Sequence, residues 1–186
     1  MMKVNELNEL KKDCIVKQKK GLHFILASVI IWALIVGVEL TNWPILTKNL
    51  FIFCCSAPLM PIAFLLSKLL GIDFQNKENP LTKLGILFAA NQVIYLLIPM
   101  WLFQASPENM LMVFAIIFGA HLMPFSWLYE SRSYLFASII IPIVSLFVGL
   151  KFGGLTLAIV MFVIESLFSL FLWIETGKQN LKAHIG

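Results

Sequence analysis

A charged side chain at the centre of a membrane helix costs about 2.5 to 3.5 kcal/mol on insertion scales, so such a residue needs a partner or a task. Glu165 stands in the middle of a long apolar run, His121 in the middle of another, and the adjacent amides Asn91 and Gln92 in a third. Tyr95 follows Asn91, and Ser169 follows Glu165, at the four-residue spacing that puts two side chains on one helix face. At about 1.5 Å of rise per residue, these groups share a depth to within about two helical turns. A carboxyl, an imidazole, two amides and a phenol around one midplane cavity could load and release a proton or coordinate a cation. Glu165, His121, Asn91, Gln92 and Tyr95 are therefore the candidate ligand- or proton-binding residues. The same side chains can also act as interhelical glue, at about 0.6 kcal/mol per hydrogen bond.

Other chemistry is thinly represented. Ser166 and Ser169 form no nucleophile motif with Glu165 and His121, and the GxSxG and HExxH patterns are missing. Cys14 lies in a basic segment, and Cys54 and Cys55 are adjacent in an apolar run, so neither a disulfide framework nor a Cys/His metal site is expected. No Gly-rich phosphate loop follows a strand, and no nucleic-acid partner is expected because topology explains the basic excess. The expectation is a chain with no enzymatic activity, no metal and no cofactor.

The elements that must position these residues follow from hydropathy. The chain has 186 residues, 60% hydrophobic and 13% charged, against about 25% charged residues in a soluble domain. Apolar blocks fall at about 22–40, 50–70, 81–104, 110–129, 134–150 and 155–174, each near the roughly 20 residues needed to span a bilayer. The first block runs a full bilayer's width and does not read as a cleaved leader. The sequence thus predicts an all-α, six-helix transmembrane bundle with short loops, a basic segment at 1–20 and a tail at 175–186. Of the 14 Lys and Arg residues, all but Lys48 and Lys151 fall on one side when both termini are cytoplasmic, which sets the orientation. Residues 1–20 read as a solvated segment or an amphipathic helix on the inner leaflet, and Glu39 and His23 as end residues that snorkel to water. Glu130 and Arg132 read as an exposed pair beside a tight turn.

Trp43, Trp101, Trp127 and Trp173 sit at block ends, where indoles favour the headgroup level, whereas Trp32 falls mid-block and is expected to pack between helices. Pro58, Pro61, Pro99, Pro124 and Pro142 fall inside four blocks and should bend them, opening a cavity or a hinge. Pro61-Ile62-Ala63-Phe64-Leu65-Leu66 resembles Pro142-Ile143-Val144-Ser145-Leu146-Phe147, which allows an inverted three-plus-three repeat of the kind found in transporters.

Three runs carry a family likeness: Ser67-Lys68-Leu69-Leu70-Gly71-Ile72-Asp73-Phe74, Asn79-Pro80-Leu81-Thr82-Lys83-Leu84-Gly85, and Ala120-His121-Leu122-Met123-Pro124-Phe125-Ser126-Trp127-Leu128-Tyr129. Together they resemble a bacterial domain-of-unknown-function family of small six-span membrane proteins. The resemblance implies the fold and a bacterial plasma membrane, and carries no activity. Two functions follow as expectations: a small proton- or cation-linked transporter or ligand-binding membrane protein, and alternatively a noncatalytic membrane subunit or scaffold. The expected partners are the lipid bilayer, a small-molecule or ion ligand, and a second copy or another membrane protein.

Overall fold

The computed structural model describes residues 4–183, all helix and connection with no strand among them. The helices are α1 (Val4–Lys17), α2 (Leu22–Glu39), α3 (Ile45–Ser56), α4 (Leu59–Leu70), α5 (Pro80–Tyr95), α6 (Leu97–Ala105), α7 (Met110–Ala120), α8 (Met123–Leu128), α9 (Arg132–Phe152) and α10 (Gly154–Ala183). They compose six spans long and apolar enough to cross a membrane: Lys19–Glu39, Ile45–Leu70, Pro80–Ala105, Pro107–Leu128, Arg132–Phe152 and Gly154–Gly177. This is the architecture of a multi-pass membrane protein. The side chains of Lys178 and Lys182, together with Lys3 and the last three residues, lie outside the described residues.

Proline explains where the spans break. A proline ring clashes with the carbonyl four residues earlier and offers no N–H. Pro61 acts on Ala57, Pro99 on Tyr95 and Pro124 on Ala120, and the second, third and fourth spans break next to those positions. Pro142 instead lies within the unbroken α9. The two hexapeptides that suggested a repeat therefore occupy different local geometry. The second span also begins at Ile45 instead of 50, because Pro44 starts the helix and Lys48, the charge in its first turn, is paired.

The first span is the centre of the bundle. In its apolar window 56% of residues are buried, against 11% in the third span. α2 packs on α10, α4 and α3, while α7 packs on α9, and α9 on α10. Trp32 is buried edge-on to Phe114 and Phe118, tying α2 to α7 as its mid-block position implied. Small residues allow the closest approaches. A Cβ on Gly119 of α7 would lie 2.6 Å from Ile141 and from Pro142, and one on Gly149 of α9 would lie 2.6 Å from Met112. The third span is peripheral: α5 touches α1, α8, α6 and α7 only lightly.

The N-terminal segment forms a helix, exposed along much of its length, that buries Lys11, Cys14 and Ile15 against the bundle. Lys19, Lys20 and Gly21 all have positive φ, and this left-handed turn swings α1 away from α2 and across the end of the bundle. Each L-residue held there costs about 1 to 2 kcal/mol, so the turn needs anchors. Lys20 Nζ meets Glu175 Oε2 at 2.8 Å, Tyr134 Oη donates to the Lys20 carbonyl at 2.8 Å, and Lys19 Nζ donates to the Leu70 carbonyl at 2.6 Å. Lys11 is buried, 3.5 Å from Glu130 and over the Trp127 ring, so Glu130 pairs with α1 and not with Arg132. Asn79 Nδ2 donates to the Leu10 carbonyl and to Asp13 Oδ2, both at 2.8 Å, and Asn76 donates to the same carboxylate at 3.1 Å.

Two residues expected to snorkel do not. Glu39 is buried and pairs with Lys48 Nζ at 3.4 Å, while the Lys48 ammonium also donates to the Glu39 carbonyl at 3.0 Å. Beside it, Asn49 Nδ2 donates to the Pro107 carbonyl at 2.8 Å and fastens α3 to the start of the fourth span. His23 is fully buried against Phe24 and Phe74, and neither of its ring nitrogens has a partner.

Two outcomes are expected from this packing. Gly119→Ala should destabilise the protein by about 1 to 3 kcal/mol, since the atoms it meets belong to a β-branched residue and a ring. Gly149→Ala should cost a similar amount, because the atoms it meets include Cβ and Cγ at the root of Met112, which rotation of the outer side chain cannot remove; thermal unfolding in detergent measures both. For α1, burial acts to raise the Asp13 pKa, but Lys17, Asn79 and Asn76 outweigh it and hold the carboxyl below its ordinary value. Its folded pKa is thus below an unfolded value of about 3.9, so its contribution is complete above that value and lost as pH falls through the folded one. Hydrogen exchange of α1 amides should show protection failing in that acid window, and Asp13→Asn should remove that pH dependence.

Candidate functional site

The breaks in the second, third and fourth spans face α2, and two cavities lie among them. The larger, about 270 Å³, is bounded by α2, α4, α5, α7 and α8, with Gln92 and His121 in its wall. The smaller, about 200 Å³, shares Gln92 and Phe118 with it and reaches Ser28 and Trp32. Met60, Ile86 and Val93 line the larger cavity and are themselves exposed, and α4 and α5 make almost no direct contact. The cavity therefore opens sideways, between the second and third spans, onto the face that meets lipid.

His121 sits at the end of α7, where Pro124 interrupts the helix. Its Nδ1 bonds the Phe118 carbonyl. A carbonyl can only accept, so Nδ1 carries the hydrogen and Nε2 is left as an acceptor. Among the described residues the Gln92 side chain has no hydrogen-bond partner, leaving its amide free for whatever occupies the cavity.

Glu165 is elsewhere. It is fully buried on α10 and its partner is Ser28 of α2, whose Oγ lies 2.6 Å from Oε2, while Oε1 has no partner. Ser28 Oγ is also 2.7 Å from the Ile25 carbonyl. One hydroxyl holds one hydrogen and a carbonyl cannot donate, so both contacts are hydrogen bonds when the carboxyl holds a proton and donates it to Ser28 Oγ. Because Ser28 also lines the smaller cavity, it links the buried carboxyl to the cavity pair.

The predicted set is thus divided. Gln92 and His121 share the cavity, Glu165 pairs with Ser28, and Asn91 and Tyr95 are exposed on the outer side of α5. Shared depth fixes height along the bundle axis and says nothing of rotation; adjacent residues such as Asn91 and Gln92 point about 100° apart, since a turn takes 3.6 residues. Ser28 was missed because a serine in an apolar helix carries no charge to draw attention. Among the described residues no group of three His, Cys, Asp or Glu side chains is placed to hold a metal ion.

At the α1 end the larger cavity is closed by a second network. Tyr129 Oη donates to Gln18 Oε1 at 2.8 Å, and Gln18 Nε2 donates to Thr82 Oγ1 at 3.1 Å. Burial pushes the Tyr129 phenol well above its ordinary pKa, so it stays a donor, and burial likewise raises the Cys14 thiol below it. Glu175 accepts from Ser131 Oγ at 2.7 Å and Ser133 Oγ at 2.6 Å beside Lys20. Gln18 escaped notice within a segment read as solvated, and Glu175 because it fell just past the expected last span.

With this geometry in view, comparison with known proteins adds one finding. Residues 7–175 match a family of unknown function, DUF7010. The chain belongs to that family. No curated protein and no solved structure matches it. Membership in DUF7010 agrees with the expectation of a family of unknown function and brings no chemistry, so the reading of this DUF7010 protein rests on its own side chains.

The proton count at Ser28 has a consequence. Glu165→Gln should keep stability within about 1 kcal/mol, because an amide N–H can donate to Ser28 Oγ in place of the carboxyl O–H. Ser28→Ala should cost about 1 to 3 kcal/mol by stranding the carboxyl. Thermal unfolding at neutral pH distinguishes them, and the infrared carbonyl stretch of a protonated acid should be present in the parent and missing in Glu165→Gln.

Proposed function

We propose that this protein is a ligand-binding membrane protein that takes a small amphipathic molecule from the bilayer into the cavity beside the third span. The observation that carries the reading is the lateral gap between α4 and α5, which joins a partly polar cavity to the lipid-facing surface. A volume of about 270 Å³ is far more than one water requires and lies near the lower end of ligand pockets, roughly 300 to 1,000 Å³. The location is the cell membrane, with both termini cytoplasmic. The bias of Lys and Arg toward the α1 end supports that orientation, as cytoplasmic loops carry such an excess. No reaction is assigned.

A proton-linked form of the same function is favoured by Glu165 and Ser28. A carboxyl with one unpartnered oxygen, joined through a serine to the ligand cavity, can exchange a proton when the cavity fills or empties. The scaffold alternative rests on the exposed outer faces of α5 and α9 and requires a stoichiometric partner.

A ligand that binds only the folded state raises its stability, by about 2.7 kcal/mol at one hundred times Kd. Uncharged single-chain amphiphiles should therefore raise the thermal unfolding midpoint of the purified protein, and simple inorganic cations should not. Ala89→Trp, which fills the cavity wall, should abolish the shift, while Tyr95→Leu on the outer face should leave it intact. Equal shifts in parent and Ala89→Trp would defeat the cavity reading.

A further inference from the structure

The cavity's chemistry narrows its occupant, granted the lateral-entry reading above. We propose that the ligand is an uncharged amphiphile whose head is a hydroxylated planar ring, of the alkylphenol or hydroquinol class, held by His121 and Gln92 with its tail leaving between α4 and α5.

Charge is the first constraint. Among the described residues no Lys, Arg, Asp or Glu side chain lines the larger cavity. Three basic residues at the α1 end are engaged elsewhere: Lys11 with Glu130 and Trp127, Lys19 with the Leu70 carbonyl, and Lys20 with Glu175. A phosphate or carboxylate head would be desolvated with no counter-ion, which is strongly unfavourable. Anionic phospholipid heads are excluded on that ground.

Hydrogen bonding is the second. The polar groups at the closed end, Gln18, Thr82 and Tyr129, are occupied with one another, and Tyr134 donates to the Lys20 carbonyl. Among the described residues the open groups are the Gln92 amide, His121 Nε2 and, on the exposed loop at the rim, the Gln75 amide; the first two stand on the helices that wall the cavity. Because the Phe118 carbonyl fixes the histidine tautomer, Nε2 must be met by a donor. A ligand with an O–H satisfies it, and a second oxygen on the head can accept from the Gln92 amide. A ketone or ether alone leaves the histidine unmatched.

Shape is the third. Phe118 and Phe125 stand edge-on to His121, with ring centroids 5.4 and 6.1 Å away, and Phe24 and Phe74 line the same cavity. Aromatic walls favour a flat head through stacked and edge-to-face contacts, whereas a sugar or a branched glycerol head would lose them. The cavity has room for a ring and not for a two-chain glycerolipid, whose tails would have to leave through one gap.

The test compares four probes of equal chain length on the full chain in nanodiscs: a decyl hydroquinol, its dimethyl ether, decyl phosphate and a decyl diol. Binding is read by titration of the unfolding midpoint. The hydroquinol should bind at least about tenfold more tightly than the ether, which has lost the donor, and than the diol, which has lost the ring. Decyl phosphate should bind most weakly. Gln92→Leu should weaken the hydroquinol and the ether alike, by about tenfold, since both heads keep an oxygen that accepts from the amide, and His121→Phe should erase the preference for hydroquinol over ether. Because the ether comparison uses the unaltered protein, a folding defect in either variant leaves the proposal open to refutation. Equal binding of all four probes, or preference for the phosphate, overturns the ring-head assignment while the cavity reading stands. No binding of any probe, with no response to other uncharged amphiphiles, overturns both.

Discussion

The burial of the first span is the constraint on which the rest of the structure depends. In a bilayer the helix backbones satisfy themselves, and association must come from packing and from the few polar groups that have nowhere else to go. α2 meets that condition better than any other span, with Trp32 against α7, Ser28 against Glu165 of α10, and both α3 and α4 along its side. The sixth span reaches the fifth, and the fifth the fourth, so four spans close around one post. Removing a group from α2 would loosen several helices at once, whereas the same change on α5 would touch few neighbours.

That inequality also explains how the molecule can hold cavities. Three proline breaks release carbonyls and turn helix segments out of line, but a break creates lasting space only where surrounding helices cannot collapse into it. α2 is fixed by its neighbours and α7 by the Gly119 contact with α9, so the space beside α5 is retained. Pro142, packed against Gly119 inside the unbroken α9, lines neither of the two cavities. Proline content alone therefore does not predict cavities; the packing of the opposite wall does.

Much of this was legible in the sequence. The six spans, their antiparallel order and the burial of Trp32 follow from hydropathy and from the cost of a mid-block indole. Glu165 and His121 could be singled out because ionisable groups at that depth are rare. What could not be read was rotation. The apolar residues of α5 are spread around the helix and mark no single face, so nothing in its composition says that Gln92 faces inward while Asn91 and Tyr95 face out. The contacts of the N-terminal segment were hidden for a related reason. Its lysines look solvated one by one, and only the left-handed turn at Lys19, Lys20 and Gly21 reveals that Lys11 and Lys20 are folded under the bundle, where Glu130 and Glu175 wait for them.

The same turn changes the meaning of the basic excess. A polybasic segment of free lysines is attracted to anionic headgroups by about 1 kcal/mol per residue near the surface. Here Lys11, Lys17 and Lys20 have carboxylate partners and Lys19 is bound to a helix-terminal carbonyl. The charge that could orient the chain during insertion is thus consumed in the folded protein to hold α1 as a cap. That cap carries Gln18 into the closed end of the cavity and, through Asn79, steadies the start of the loosely packed α5. One segment serves topology first and site geometry afterwards, which is how Gln18 comes to stand in the cavity wall.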